Sequence, residues 1–210
     1  MIEDPIVIVD AVRTPTGILN GSLSNFTADA LGTLIIKELI NRNKLNPIEI
    51  SEVIMGQVLT AACGQNPARQ ASVKANIPYE VSAYTVNQVC GSGLRSIMLG
   101  AQSIMTGESN IVIAGGQESM SRSMHALYMR QAIKMGNTNI IDTMIIDGLW
   151  DSFNNYHMGI TAENVAKKYN ISRNEQDEFA LNSQMKAAQA DKEGKFINEI
   201  VPVEITVKKE

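Results

Sequence analysis

Cysteine is scarce: 210 residues contain only Cys63 and Cys90. Two are too few for a disulfide framework and fit a reduced compartment, although one bridge between them stays open. Histidine is as rare, with only His125 and His157 to serve as a base beside a nucleophile. No apolar run approaches the ~20 residues of a membrane-spanning helix. The opening Met1-Ile2-Glu3-Asp4-Pro5 has none of the basic-then-apolar pattern of a secretory signal. The expected location is therefore cytoplasmic, with no membrane partner. Positive charge is not in excess either, 18 Lys and Arg against 22 Asp and Glu for a net charge of −4, so there is no electrostatic footprint for nucleic acid. HExxH and CxxC are missing and the acidic residues show no ligand spacing, which leaves no expected metal site. Gly91-Ser92-Gly93 lacks the third glycine of a dinucleotide fingerprint, and no Walker-type lysine motif occurs, which sets aside nicotinamide and ATP.

The chain has the composition of a globular protein, 44% hydrophobic and 19% charged, with no repeat and no low-complexity tail. Ile6 to Val9 is a short continuous apolar run, as in a strand buried on both faces. Ser24 or Thr27 can cap a helix whose apolar positions are Leu31, Leu34, Ile35 and Leu39. A strand is expected near Val53-Ile54-Met55, and Asn66 and Pro67 supply the cap and first position of a second helix. Buried strands alternating with helices predict a parallel sheet with crossover helices. From Ser121 to Met158 the text becomes rich in Met and Asn, with few strand signals, so a core over 1–120 and a loop subdomain over 121–210 are expected. Thr161 can cap a short helix through Tyr169, Ser172-Arg173-Asn174-Glu175 forms a capping box for a long helix ending near Gly194, and Glu199 to Val207 is a strand candidate.

Cys90 is the most informative residue. It lies where the apolar strand Tyr84-Thr85-Val86 runs into the turn Asn87-Gln88-Val89-Cys90-Gly91-Ser92-Gly93 and then a helix with Leu94, Ile97, Met98, Ala101, Ile104 and Met105 at helical spacing. Gly107 stops that helix before a strand at Asn110 to Ala114. The residue thus falls at the carboxyl end of the first strand of a βαβ unit, where open α/β sheets place their chemistry. A helix start favours an anion, and a thiolate is one. The effect is worth ~1 kcal/mol and at most ~2, which against about 1.4 kcal/mol per pKa unit lowers a thiol from ~8.5 by roughly one unit. Much of it would still be thiol at neutral pH, so a committed nucleophile needs a neighbouring base or cation.

These residues resemble a known family. Asn87-Gln88-Val89-Cys90-Gly91-Ser92-Gly93 is similar to the nucleophile motif of thiolases. Four further stretches agree in the family's order: Asp10 to Pro15, Gly64 to Ala71, Gly115 to Ser121, and Asp147-Gly148-Leu149 continuing to Tyr156-His157-Met158-Gly159 and Asn164. The resemblance extends over essentially the whole chain. It implies an α/β fold, the N-terminal half of a thiolase-like α/β/α/β/α layered architecture with a partial loop subdomain. It implies acetyl transfer between coenzyme A thioesters, two acetyl-CoA giving acetoacetyl-CoA and CoA reversibly, with no cofactor because the coenzyme A thioester is itself the substrate. The cysteine matching Cys90 would carry the acetyl group as a thioester, its backbone N–H helping to hold the oxyanion. Residues matching Leu149, His157 and Met158 would line the CoA and acyl pocket, and the His-Met pair favours a short acyl chain.

The family takes its remaining catalytic groups from a histidine in Gly-His-Pro, an asparagine in Asn-Glu-Ala-Phe and a second cysteine in Cys-x-Gly, and none of these motifs occurs in the 210 residues. Cys63 matches an earlier loop, and His125 falls in the excursion that contributes to subunit contacts in many relatives. Trp150 inside the Leu149 motif and Ile146, where relatives often carry lysine, are smaller departures. The expected partners are therefore acetyl-CoA or acetoacetyl-CoA and either further copies of the chain, as a homo-oligomer, or a complementary C-terminal thiolase half. The chain alone is expected not to turn over. Other readings are a non-catalytic CoA-binding or assembly fragment, a 3-ketoacyl-CoA thiolase of broader chain length, a ketoacyl-synthase-type condensing enzyme, and a Cys–His hydrolase.

Overall fold

The computed structural model describes residues 6–130 and 135–205. Its centre is a three-stranded parallel sheet: β1 (Glu52–Gly56), β2 (Ser82–Val86) and β3 (Val112–Gly116), in spatial order β2-β1-β3. The register sets Gly56 beside Val86 on one side and Gly116 on the other, so all three carboxyl ends share one edge. β1 is central and buries Val53, Ile54 and Met55 almost completely, as its continuous apolar text requires for a strand covered on both faces.

Three helices pack on this sheet and its flank: α1 (Ala28–Asn43), α2 (Pro67–Lys74) and α3 (Ser92–Met105). The α2 start follows from its sequence: Pro67 opens the helix and Asn66 Oδ1 accepts the Arg69 N–H at 3.2 Å. Ile36, Ile40, Ile50, Val53, Met55, Ala68, Ala71, Ile77 and Ile113 form the core cluster.

The helices are where the periodic pattern predicts them, but two present a different face. α1 buries Ala28, Gly32, Ile36 and Ile40, while Ile35 and Leu39 pack at the margin. α3 buries Ser92, Ser96 and Gly100, and its large apolar residues point outward: Leu94 is 67% exposed, Met98 49% and Met105 61%. The reason is distance. A Cβ on Gly100 would stand 3.0 Å from Val112 Cγ1, so only a small-residue face fits this close to the sheet, and Ser96 Oγ donates across the gap to Gly115 O at 2.7 Å.

The expected first strand is also corrected. Ile6 to Val9 is not part of a sheet, and Val9 is 80% exposed. An apolar run can be buried on both faces only when strands flank it, and among the described residues this segment has no ladder. Its continuation makes one bridge, Arg13 with Ile200, through Arg13 N–H to Glu199 O and Val201 N–H to Arg13 O, both 2.8 Å. Arg13 Nε also reaches Glu199 Oε1 at 2.7 Å. That bridge is all that forms of the strand expected over Glu199 to Val207 up to residue 205; its last two residues lie outside the described residues.

Beyond β3 come two short antiparallel pairs, β4 (His125–Ala126) with β5 (Ile141–Asp142) and β6 (Trp150–Asp151) with β7 (Tyr156–His157). Part of the predicted excursion, residues 131–134, lies outside the described residues. Two helices follow, α4 (Met158–Tyr169) and α5 (Arg173–Lys192). The predicted capping box at α5 is present, with Ser172 Oγ accepting from Glu175 N–H and Glu175 Oε2 from Ser172 N–H. α4, however, starts at His157 rather than Thr161, because an imidazole nitrogen takes the capping role. Among the described residues no helix is long and apolar enough to cross a membrane.

Candidate functional site

Cys90 is exposed and its thiol is free, as is that of Cys63, which closes the question of a bridge between them. It stands in a turn tied down by its own atoms. Gly91 N–H donates to Gln88 O at 3.1 Å, Ser92 Oγ accepts the Gln88 N–H at 2.8 Å, and Val89 N–H donates to Asn87 Oδ1 at 2.9 Å. Val89, immediately before the cysteine, has φ 49°. A β-branched residue in this left-handed region costs about 1–3 kcal/mol and persists only where its surroundings enforce it. Such a sharp turn between a strand and a helix presents the intervening side chain at the sheet edge.

Gly56 makes room for the turn, and Gly116 lies against it. A Cβ on Gly56, at the end of β1, would lie 2.5 Å from Ser92 C and 2.6 Å from Gly93 N, and one on Gly116 would lie 3.5 Å from Gly93 Cα. The first turn of α3 is thus seated between the ends of β1 and β3, with Cys90 held just ahead of it at the carboxyl edge.

Leu149, His157 and Met158 come together on one local unit. Leu149 ends a short π-helical turn, Ile145–Leu149, that leads into β6, and Trp150 in β6 pairs with His157 in β7. The connecting bend is closed by Asp151 Oδ1, which accepts Phe153 and Asn154 N–H at 2.9 Å each. Hydrogen bonds from Asn154, side chain first and then backbone, hold the Asp151 carboxyl below its usual range. Trp150 Nε1 donates to Asn155 Oδ1 at 3.2 Å. His157 Nδ1 accepts the Gly159 N–H at 3.0 Å and so caps α4, which commits that nitrogen and leaves Nε2 for other contacts. Met158 is 42% exposed. This unit lies beside the loop that follows β1: a Cβ added on Gly148 would stand 3.6 Å from Leu59 Cδ2. Among the described residues no hydrogen bond or ion pair joins Cys90 to either histidine, so the Cys–His hydrolase pair is not assembled.

Sequence reasoning did not find the polar residues that organise this edge. Glu118, two residues past β3, accepts Val58 N–H at 2.9 Å and Leu59 N–H at 3.2 Å through Oε2, and its buried Oε1 has no partner among the described residues. Burial pushes its carboxyl up, and the backbone N–H groups of Val58, Leu59 and Ser119 oppose that. Gln57 and Gln117 are buried side by side, Gln117 Nε2 donating to Gln57 Oε1 at 2.9 Å and Gln57 Nε2 to Leu59 O at 2.9 Å. The available signal was position: polar residues directly after two neighbouring parallel strands.

A cleft of about 280 Å³ opens nearby, lined by Asp29, Leu59, Cys63, Lys74 and Arg122 among others. Cys90, Leu149, His157 and Met158 are not in its wall. Burial raises the Cys63 thiol pKa, with Glu118 and Asp29 adding to the rise and a Gln57 hydrogen bond opposing it. For Asp29 burial also works against the charged form, but hydrogen bonds from Lys74 and Thr27 and the Lys74 charge outweigh it and hold the carboxyl below its usual range.

Comparison with known proteins agrees with this geometry. The family model described as "Thiolase, N-terminal domain" matches residues 6–210. Acetyl-CoA acetyltransferase of Paracoccus denitrificans is 57% identical over 203 residues, 97% of this chain and 52% of that protein. The acetyl-CoA acetyltransferase of Cupriavidus necator is 56% identical over 205 residues, 97% of this chain and 52% of that protein. The cytosolic acetyl-CoA acetyltransferase of Rattus norvegicus is 53% identical over 207 residues, 99% of this chain and 52% of that protein. The chain spans about half the length of the curated relatives it matches. With a strand–turn–helix cysteine at the carboxyl edge of a parallel sheet, the chain belongs to the thiolase family, matching its N-terminal domain.

Proposed function

We propose that this chain is the nucleophile-bearing half of an acetyl-CoA acetyltransferase. Its Cys90 thiolate adds to the carbonyl carbon of acetyl-CoA, forming a carbon–sulfur bond. The tetrahedral adduct then collapses by breaking the bond to the coenzyme A sulfur, which leaves as the thiol after taking a proton. A second acetyl-CoA, deprotonated at its methyl carbon, takes the acetyl group to give acetoacetyl-CoA and frees Cys90. The observation that carries this reading is the exposed Cys90 in a self-bonded turn after a left-handed Val89, at the shared carboxyl edge of β1, β2 and β3. Leu149, His157 and Met158 form the CoA and acyl wall on this reading, with the core running to residue 120 and the loop subdomain from 121.

The base for the thiol, the base for the α-proton and the enolate-binding groups come from a complementary thiolase half. The outward apolar face of α3, with Leu94, Ile97, Met98 and Met105 all at least 40% exposed, supports such a partner, since contiguous apolar surface of this kind marks an interaction site. The relatives include cytosolic enzymes, which supports a cytoplasmic location.

Mass spectrometry of the chain with acetyl-CoA, alone and mixed with a separately produced C-terminal thiolase half, tests the reading. We expect one acetyl group on the Cys90 peptide, absent in Cys90→Ser, and acetoacetyl-CoA only in the mixture. No acetylation of Cys90 under either condition overturns it.

A further inference from the structure

We infer that Glu118 is a positioning residue that sets the Leu149-bearing turn against the nucleophile edge, acting through the backbone of Val58 and Leu59 and the side chain of Leu59. The inference rests on the reading of Leu149 as a pocket residue, but its physical content is a relay within this chain.

The first link is the clamp. One carboxylate oxygen of Glu118 takes two consecutive backbone N–H groups, Val58 at 2.9 Å and Leu59 at 3.2 Å. Consecutive amides aimed at one oxygen define where that backbone lies, and charge-assisted bonds of this kind are the stronger ones. The second link closes the same turn from the other side, with Leu59 O accepting from Gln57 Nε2 at 2.9 Å and Cys63 Sγ at 3.4 Å. Leu59 therefore has both its N–H and its C=O fixed, and its side chain is only 6% exposed. The third link is the seat of that side chain beside Gly148, where an added Cβ would stand 3.6 Å from Leu59 Cδ2. Leu149 is the next residue. Glu118 itself follows β3, whose Gly116 abuts the start of α3, so the clamp starts from the frame that also holds Cys90.

A carboxylate serving only the local fold would stabilise residues 57–63 and nothing further. A positioning carboxylate must hold 145–151 as well, and hydrogen exchange on the full chain separates the two. In Glu118→Ala we expect the amides of Val58 and Leu59 and those of 145–151 to exchange about tenfold faster or more, the loss of one or two charge-assisted bonds, while β1, β2 and β3 keep their protection. Glu118→Gln retains an acceptor oxygen and should restore part of the protection at both places. Leu59→Ala should loosen 145–151 while 58–59 stay slow, because it cuts the relay after the clamp. Wild-type exchange over 145–151 in Glu118→Ala overturns the inference. Loss of protection throughout the chain does so too, since Glu118 would then hold the whole fold. A second readout is the rate of Cys90 acetylation by acetyl-CoA divided by its rate of alkylation by iodoacetamide, which needs no pocket. We expect that ratio to fall about tenfold in Glu118→Ala and to recover in part in Glu118→Gln; an unchanged ratio counts against positioning for the reaction. Absence of acetylation in the wild-type chain, both alone and mixed with the C-terminal half, would defeat the functional reading of Cys90, and the exchange experiment would still decide the relay.

Discussion

Replacing Gly56 by alanine should unseat the nucleophile turn, and Gly115 supplies a matched control. Gly56 ends β1, and Gly115 is the last residue but one of β3 at the same edge, paired with Met55, the residue before Gly56. A Cβ on Gly115 meets nothing within 4 Å, whereas on Gly56 it meets Ser92 C at 2.5 Å, Gly93 N at 2.6 Å and Ser92 Cβ at 2.7 Å. Non-bonded carbon atoms settle at about 3.5–4.0 Å, so relief requires the first turn of α3 to retreat by about 1 Å. Two of the three obstructing atoms are backbone, so no rotamer change removes the clash. Overpacking of this kind costs about 1–3 kcal/mol, and for a chain of this size a loss of 2 kcal/mol lowers the melting temperature by about 4–8 °C. Gly115→Ala should melt within about 2 °C of wild type, since alanine is favoured over glycine within a strand. Circular dichroism melts give the first number, and iodoacetamide labelling of Cys90, read by mass spectrometry, shows whether the displaced turn changes access to the thiol. If Gly56→Ala melts with wild type, α3 does not rest on β1 as described and the account of how Cys90 is presented fails with it.

Three further outcomes follow from the same geometry. Near neutral pH iodoacetamide should modify Cys90 before Cys63, because Cys90 is exposed and burial raises the Cys63 pKa; equal rates on the two tryptic peptides would contradict this. Lys74→Met should destabilise the chain by about 1–2 kcal/mol at pH 7 by leaving the buried Asp29 carboxylate without its cation. Asp29 has a folded pKa below its unfolded ~3.9, so its contribution is complete above that value and is lost as pH falls through the folded pKa; the gap between variant and wild type in denaturant melts should therefore close on acidification below about pH 4. Ser96→Ala should cost about 1 kcal/mol in the same melts, through loss of the hydroxyl bond from α3 to Gly115 O.

Much of the framework was readable because it depends on local chemistry. Asn66 with Pro67 and Ser172 with Glu175 announce helix starts through groups that bond backbone N–H directly, and the continuous apolar text of Val53-Ile54-Met55 matches a central strand. The misreadings share a cause. Counting large apolar residues places Leu94 and Met98 of α3 toward the sheet, but a helix this close to its sheet must show it small side chains, so Ser92, Ser96 and Gly100 face inward. In α1, which packs on α2, the small residue is Gly32, where an added Cβ would lie 2.0 Å from the Gln117 side-chain Oε1 and 3.3 Å from Ala71 Cβ. Apolarity alone predicts a buried strand at Ile6 to Val9, but it states what a segment needs and not whether flanking strands are present. The sequence does not announce His157 as a cap, because its ring nitrogen lies outside the usual set of Ser, Thr, Asp and Asn. Cys90 was legible because glycine, helix start and strand end coincide there; Glu118 was not, since its partners are amides about 60 residues away.

The two faces of α3 bear on how such a chain works. Burying one large apolar side chain is worth about 1.5–3 kcal/mol, and Leu94, Ile97, Met98 and Met105 are each between 40% and 67% exposed. Covering what remains of all four would contribute about 3–6 kcal/mol on that scale, comparable to the whole stability of many domains. On the proposed reading, that energy drives the complementary half onto the outward face of the same helix whose first turn fixes Cys90. Docking would then set the partner's bases relative to the thiol through one rigid element, without touching the nucleophile turn. Leu94→Lys together with Met98→Lys therefore separates assembly from chemistry: it should abolish acetoacetyl-CoA formation in the mixture while the iodoacetamide rate at Cys90 stays within about twofold of wild type, since exposed positions away from the packed face change local structure little. Full condensation activity in that double variant would show that the partner does not use α3.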